Sequence, residues 1–294
     1  MKILITGGAG MLGGALCSLI SSKKGVACRS FSRSIVDISS PDLASFIVCF
    51  HPTHIIHCAA IARVDYCEAN PIECEKINVT STLAIVEAAN MCKAQIVYPQ
   101  SFLVYGNSDI PQDELSVLDP QSVYARSKLA AENLILENST VDPLIIRLGG
   151  FFGGLEKDKN FVGHFARILL NKKDDVVSRE FPVGSRIWQP TYIGDIAENI
   201  FLLLINNISG TWNLASHGHT SFFELAKKLV FYLGMQESVS ILKADDRLVS
   251  AAEKAYRPMS IVMSTEKLTK SGFDLQRPWE EPLKEYIDLY RSFC

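Results

Sequence analysis

Short apolar runs alternate with longer amphipathic ones through the first half of the chain. Lys2–Thr6 has the length and branched content of a strand, and Met11–Ser21 the spacing of a helix. Val26–Ser30, His54–Cys58, Gln95–Pro99 and Pro143–Arg147 read as further strands. Pro41–Phe50, with proline in its first turn, the long stretch from Ile72 to Lys93, and Val123–Glu137 read as helices. Strands alternating with helices imply right-handed crossovers and a parallel sheet covered on both faces. The expected fold is a doubly wound α/β sheet of the Rossmann type. Past Arg147 the rhythm loosens at Gly149-Gly150-Phe151-Phe152-Gly153-Gly154. Helical spacing returns over Phe161–Leu170, Asp195–Ile205, Ser221–Leu233 and Trp279–Arg291. Residues 1–150 are therefore expected to form the sheet domain and 151–294 mainly a smaller lobe, with a stretch near 190–215 returning to the first domain. A ligand would lie between them, at the carboxyl ends of the strands.

Composition narrows the function classes. The chain has 294 residues, 48% hydrophobic and 21% charged, with a net charge of −3. That apolar fraction excludes general disorder. The charge balance, with no basic run, argues against nucleic acid, because phosphate neutralisation needs clustered cations. No apolar run approaches the ~20 residues of a membrane span, and Met1–Ile20 carries too many glycines to read as a signal peptide. The eight cysteines form no Cys-x-x-Cys pair and several sit in apolar runs. They read as free thiols in a reducing compartment, with cytoplasm expected. His51, His54 and His57 are spaced by three but share no face, so no metal site is expected.

The first chemistry-bearing motif is Gly7-Gly8-Ala9-Gly10-Met11-Leu12-Gly13, lying between a strand and a helix. Glycines at 7, 10 and 13 permit a tight turn, close approach of backbone N–H groups to a pyrophosphate, and close helix packing. The second is Tyr124-x-x-x-Lys128 on one helix face, with Ser101 upstream at a strand end. Hydride transfer to a ketone creates an alkoxide that needs a proton. A tyrosine of reference pKa ~10 becomes a usable acid–base when a nearby ammonium lowers it. Ser101 would hydrogen-bond the substrate oxygen, and Lys128 would also hold the cofactor ribose.

With its Gly-x-x-Gly-x-x-Gly spacing, the chain resembles the extended short-chain dehydrogenases/reductases. An acid at the end of the second strand would hold the ribose 2′-hydroxyl of NAD. Here Arg29, Ser30, Ser32 and Arg33 stand in that region, with no acid before Asp37, so NADP(H) is expected over NAD(H). In the resemblance, Asp37-Ile38 takes the acid-plus-apolar step beside the adenine. Cys58-Ala59-Ala60 takes the place of the Asn-Ala-Ala turn that passes the cofactor.

Within that superfamily the chain most resembles the dTDP-4-dehydrorhamnose reductases, over nearly its full length. The resemblance is carried by Pro52–Ala60, Val64-Asp65-Tyr66-Cys67-Glu68-Ala69-Asn70-Pro71, Asn78-Val79, Val123–Glu132, and Arg257-Pro258 … Ser264-Thr265-Glu266-Lys267-Leu268. It implies NAD(P)H-dependent reduction of the 4-keto group of a nucleotide-linked 6-deoxyhexose, and a homodimer. Two departures stand out. Gln100–Tyr105 is closer to the Ser-x-x-Val-Tyr-Gly of sugar-nucleotide epimerases. Arg147-Leu148-Gly149-Gly150 replaces Arg-Thr-Ser-Trp, whose Trp lines the sugar site in the family. Phe102 and Leu103 stand where dehydratases carry an Asp-Glu pair, and neither transfers protons. Phe102, Arg147, Arg186 and Arg257 are the candidate substrate contacts, the guanidinium groups for phosphate. An NAD-retaining 4-epimerase and a non-catalytic NADP-binding regulatory subunit remain the alternatives.

Overall fold

The computed structural model describes residues 1–170 and 179–293. The first half runs β1 (Lys2–Thr6), α1 (Met11–Ser21), β2 (Ala27–Phe31), α2 (Leu43–Phe50), β3 (His54–His57), α3 (Val64–Ala69), α4 (Pro71–Glu75), α5 (Ser81–Cys92), β4 (Gln95–Ser101), α6 (Val123–Asn138) and β5 (Leu144–Leu148). The second adds β6 (Phe151–Phe152), α7 (Phe161–Leu170), β7 (Arg179–Val183), β8 (Ile187–Trp188), β9 (Thr191–Tyr192), α8 (Ile193–Ile205) and β10 (Gly210–Leu214). It ends with β11 (Thr220–Ser221), α9 (Phe222–Leu233), β12 (Val239–Lys243), α10 (Asp246–Ala252), α11 (Glu266–Ser271) and α12 (Glu280–Phe293).

Six parallel strands form one sheet in the order β10-β5-β4-β3-β1-β2. The order turns back beside β1, which places the ligand crevice at its carboxyl end. On one face, Leu12, Leu16 and Ile20 of α1 meet Ile196, Ile200 and Leu203 of α8 over Ile3, Ile5 and Ile146. On the other, α2, α5 and α6 cover Leu4, Ile55, Ile96 and Ile145. Both strand faces are buried, so these strands read as continuous apolar runs rather than alternating ones. A second core gathers α7, α9 and α12 around Phe152, Trp188 and Trp279, with β7 and β12 paired in parallel.

Two departures from the sequence reading bear on the site. The expected helix from Ile72 to Lys93 is broken into α4, a π-turn at Lys76–Thr80, and α5. The sixth strand, β10, was not expected as a strand: its Gly-Thr-Trp-Asn-Leu pattern buries Asn213 completely, and only tertiary partners make that tolerable. Among the described residues no helix is long and apolar enough to cross a membrane. The seven described cysteines form no disulfide; Cys294 lies outside the described residues.

Candidate active site

The glycine loop is built so that side chains do not fit. Gly7 has φ +69°, and a Cβ there would lie 2.8 Å from the Ala59 nitrogen. A Cβ on Gly13 would collide with the Gly7 carbonyl oxygen, and one on Gly10 would lie 3.2 Å from it. Helix α1 opens at Gly10 with no side-chain cap, so its first N–H groups, from Met11 onward, face the crevice for an anion. Leu12 turns inward to the core, while Met11 packs on Gly154 at the entrance to the second lobe. These residues fit a nicotinamide dinucleotide.

The opposite bank is fixed by a buried relay. Ala59 N–H donates to Thr6 Oγ1 (3.0 Å), which is 2.8 Å from His57 Nδ1; His57 Nε2 is 3.1 Å from Thr82 Oγ1. The Thr82 hydroxyl donates to the Asn78 carbonyl (2.8 Å), so its oxygen accepts from Nε2–H and Nδ1 accepts from Thr6. Burial first, and then the Lys128 charge, push the His57 pKa down to about 3, which keeps the ring neutral. Asn78, in the π-turn, grips Ile61 through both backbone groups (2.7 and 3.1 Å) and donates to Ser127 Oγ (3.0 Å). The π-turn thus ties the Cys58-Ala59-Ala60 bank to α6, consistent with the tendency of such turns to occur at functional sites. Cys58 is half-buried, and desolvation pushes its thiol up to about 12, so it carries no anionic chemistry.

At the end of β2 the candidate ribose contacts divide. Ser30 lies against Gly8, so its neighbour Arg29 points to the opposite face and stacks on Phe46 and Phe50 of α2, at 5.0 and 5.9 Å. Arg29 is thereby removed from the cofactor side, correcting the expectation. Arg33 remains exposed, 3.9 Å from Asp37, and Ser32 Oγ lies 2.9 Å from Ser34 Oγ. Asp37 accepts from the Ser39 N–H and hydroxyl, both at 2.8 Å, and these bonds hold its carboxyl below the usual range. Ile38 packs onto the core beneath α2.

Ser101, Tyr124 and Lys128 come together at the carboxyl edge of β4. The Ser101 hydroxyl accepts from Leu103 N–H (3.3 Å) and lies near enough to the Tyr124 phenol to lower its pKa. Helix α6 is started by Ser122, which accepts from Ala125 N–H (3.2 Å), and by Glu68, which accepts from Val123 N–H (3.0 Å). The expected pull of Lys128 on Tyr124 is not what this geometry gives. Lys128 Nζ donates to the Pro99 carbonyl (2.8 Å) and stands 3.8 Å from the centre of the Tyr98 ring. Burial pushes Tyr124 up to about 12, with Ser101 the group that pulls it down, and burial lowers Lys128 to about 7.

Behind these side chains runs a polar network that local motifs did not announce. Gln100 Nε2 donates to the Lys128 carbonyl (2.8 Å) and to Glu132 (2.6 Å), while its Oε1 accepts from Ser101 N–H (2.8 Å). Glu132 is ion-paired with Arg147 at 2.7 Å, and Arg147 also donates to Tyr105 (3.0 Å) and the Glu114 carbonyl (3.1 Å). Arg147 is only 5% exposed, so it is scaffold and not a substrate contact. The other two arginines are also engaged. Arg186 makes a bidentate pair with Glu253 (3.0 and 2.8 Å), and Arg257 one with Asp65 (3.0 and 2.7 Å). Arg257 ties its segment to Asp65 of α3, while Arg186 is held by Glu253 within the C-terminal half; neither stands free for phosphate. Only Glu132 had a signal: Tyr124, Lys128 and Glu132 recur every four residues, on one helix face.

Phe102 is half-buried, facing Gly150 across the strand ends. In the second lobe, a cavity of about 380 Å³ is lined by Phe161, Phe165, Phe181 and Phe222, with Arg186 and Glu253 at its side.

Residues 1–292 match the family model described as RmlD substrate binding domain. A dTDP-4-dehydrorhamnose reductase of Salmonella typhimurium is 27% identical, over 98% of this chain and 97% of its own length. The solved dTDP-4-dehydrorhamnose reductase of Clostridium acetobutylicum superposes with a TM-score of 0.88 at 28% identity, covering 99% of this chain and all of that one. The Bacillus anthracis enzyme of the same name, solved with NADP, gives 0.85 at 27% identity over 97% and 98% of the two chains. With a full-length match, the glycine loop and the Ser101–Tyr124–Lys128 cluster, the chain belongs to the RmlD substrate-binding-domain family, the dTDP-4-dehydrorhamnose reductase branch of the extended short-chain dehydrogenases/reductases.

Proposed function

We propose that the protein uses NADPH to reduce the 4-keto group of a nucleotide-linked 6-deoxyhexose. The observation that carries this reading is a glycine loop shaped for a dinucleotide, with Tyr124 and Lys128 on one face of α6 and Ser101 at the end of β4. A reduced nicotinamide dinucleotide in that loop would supply the hydride. Ser101 donates a hydrogen bond to the keto oxygen, and Tyr124 delivers its proton as charge develops there. Burial serves the donor role, since a phenol raised to about 12 is fully protonated at neutral pH. Lys128, lowered to about 7, is charged on the acid side of neutrality and offers N–H donors to ribose hydroxyls. The preference for NADPH rests on Arg33, the exposed cation past β2, and on the lack of an acid before Asp37. The aromatic cavity of the second lobe suits a stacked nucleobase. The reading includes a homodimer working in the cytoplasm.

The test is NADPH consumption with dTDP-4-dehydrorhamnose as substrate, in the wild type and in Tyr124→Phe. The variant is expected to lose about 10²–10⁴-fold in kcat, with dinucleotide affinity little changed. Full activity in the variant would remove Tyr124 from the mechanism. A wild type that retains NAD through dialysis and interconverts C4 epimers without consuming NADPH would instead be the epimerase.

A further inference from the structure

We infer that Gln100 is a positioning residue for the reduction: its carboxamide ties the backbone of Ser101 to that of Lys128, and the Glu132–Arg147 pair beside it demands an amide there. The inference rests on the reductase reading for the roles of Ser101 and Lys128.

Gln100 pairs in register with Arg147, so both side chains leave the sheet on the same face, the one that α6 covers. Gln100 is 2% exposed, and both ends of its amide are engaged. Oε1 accepts from the Ser101 N–H (2.8 Å), while Nε2 donates to the Lys128 carbonyl (2.8 Å) and to Glu132 Oε2 (2.6 Å). Within α6 the Lys128 carbonyl already faces the N–H four residues on, that of Glu132, so the Gln100 bond takes its second lone pair. A helix interior has no need of that bond. Its effect is to fix Lys128, and with it Tyr124 one turn earlier, at a set distance from the last residue of β4.

The other end of Lys128 is held by the same strand. Nζ donates to the Pro99 carbonyl (2.8 Å) and stands 3.8 Å from the centre of the Tyr98 ring, whose hydroxyl is 3.5 Å from the Lys128 carbonyl. Pairing with β3 ends at Val97, so proline at 99 breaks no ladder on that flank. Tyr98, Pro99 and Gln100 thus grip Lys128 at both ends, and Gln100 carries the grip on to Ser101.

The amide is not interchangeable with its isosteric acid. Reversed, it would set its oxygen against the Lys128 carbonyl and the Glu132 carboxylate, two acceptors. A glutamate at 100 would bring a full charge to the place where Nε2 lies 2.6 Å from Glu132, and one of the two carboxyls would have to take a proton. Glu132 is itself committed to Arg147 at 2.7 Å. The buried ion pair therefore selects glutamine at position 100.

The test follows NADPH affinity by fluorescence titration, steady-state kinetics with dTDP-4-dehydrorhamnose, and thermal unfolding. The proteins are wild type, Gln100→Met, Gln100→Glu, and the Gln100→Glu/Glu132→Gln double variant. Methionine keeps the length and volume of the side chain without its hydrogen bonds. Gln100→Met is expected to lose roughly ten-fold or more in kcat at near-constant KM for the sugar nucleotide, because Ser101 is displaced. Its NADPH affinity should fall several-fold, because Lys128 is displaced with it. Gln100→Glu should be worse in both readouts. The double variant moves the carboxylate and restores a donor–acceptor match between positions 100 and 132, so it should recover well above Gln100→Glu. The inference is overturned if Gln100→Met keeps wild-type kcat and NADPH affinity while only its melting temperature drops. The demand for an amide is overturned if the double variant is no better than Gln100→Glu. A wild type that binds NADPH but turns over no dTDP-4-dehydrorhamnose would instead defeat the reductase reading, and the NADPH titrations would still judge Gln100.

Discussion

Three arginines that look alike in the sequence serve two different regions. Arg147 lies in the sheet behind Ser101 and Lys128, paired with a Glu132 whose side chain is 2% exposed. Arg257 bridges from the C-terminal half to Asp65 of α3, and Arg186 pairs with Glu253 nearby, where Glu253 and Asp65 remain 21% and 44% exposed. In the buried region, a removed partner leaves a charge with neither water nor counter-ion, so the network acts as one rigid piece. At the rim, solvent makes up part of any loss, and the pairs set lobe geometry more than stability. The same residue type thus holds β5 to α6 in one place and ties the C-terminal half to α3 in the other.

The comparison is broken most directly at its buried end. Arg147→Met should destabilise the protein by about 3–5 kcal/mol in denaturant titration, and replacing Glu132 by Leu in the same chain should recover much of that. If the double variant is no better than the single, the cost lies in packing and not in the stranded carboxylate.

An intermediate effect is expected from acid. His57 is held down at about 3 when folded, against an ordinary value of 6.5, so the unfolded chain binds the extra proton. Stability should therefore rise with pH across that window, and fall on acidification by up to about 1.4 kcal/mol per pH unit. Asp65, held at about 2 by the Arg257 hydrogen bonds, contributes stability that is lost only as pH falls from 3.8 toward 2. His57→Gln should flatten the upper window and Asp65→Asn only the lower one. Equal flattening by both would erase the distinction between the regions.

The smallest stability change belongs to the rim. Arg257→Ala should cost about 1 kcal/mol or less, within the range of exposed pairs. Its KM for dTDP-4-dehydrorhamnose should nevertheless rise several-fold at near-constant kcat, because its segment loses the tie to α3. A KM unchanged from wild type would separate the latch from the substrate site.

How much of this was legible follows from the reach of each signal. The glycine loop is local: its turn, its helix start and the uncapped N–H groups of α1 need only consecutive residues. Tyr124 and Lys128 share a face because four residues make about one helical turn. Arg29 shows the limit, since its charge counted toward the cofactor until strand alternation turned it onto Phe46. The long helix after Ile72 looked continuous because the π-turn at Lys76–Thr80 leaves no mark in apolar spacing; its reason is Asn78 reaching Ile61 and Ser127. Strand β10 was hidden because Asn213, bonded to Tyr105, Gln112 and Ser264, looks like a surface residue.

By itself, the sequence determined the doubly wound sheet, the dinucleotide loop and the Ser101–Tyr124–Lys128 cluster, because period, turn chemistry and i,i+4 spacing act between near neighbours. Only the tertiary structure decided which arginine is scaffold and which is strap, and that Lys128 is turned to the Pro99 carbonyl and the Tyr98 ring. Those outcomes depend on burial and on contacts between residues far apart in the chain. Desolvation and close packing fix them, and neither is defined until the chain has folded.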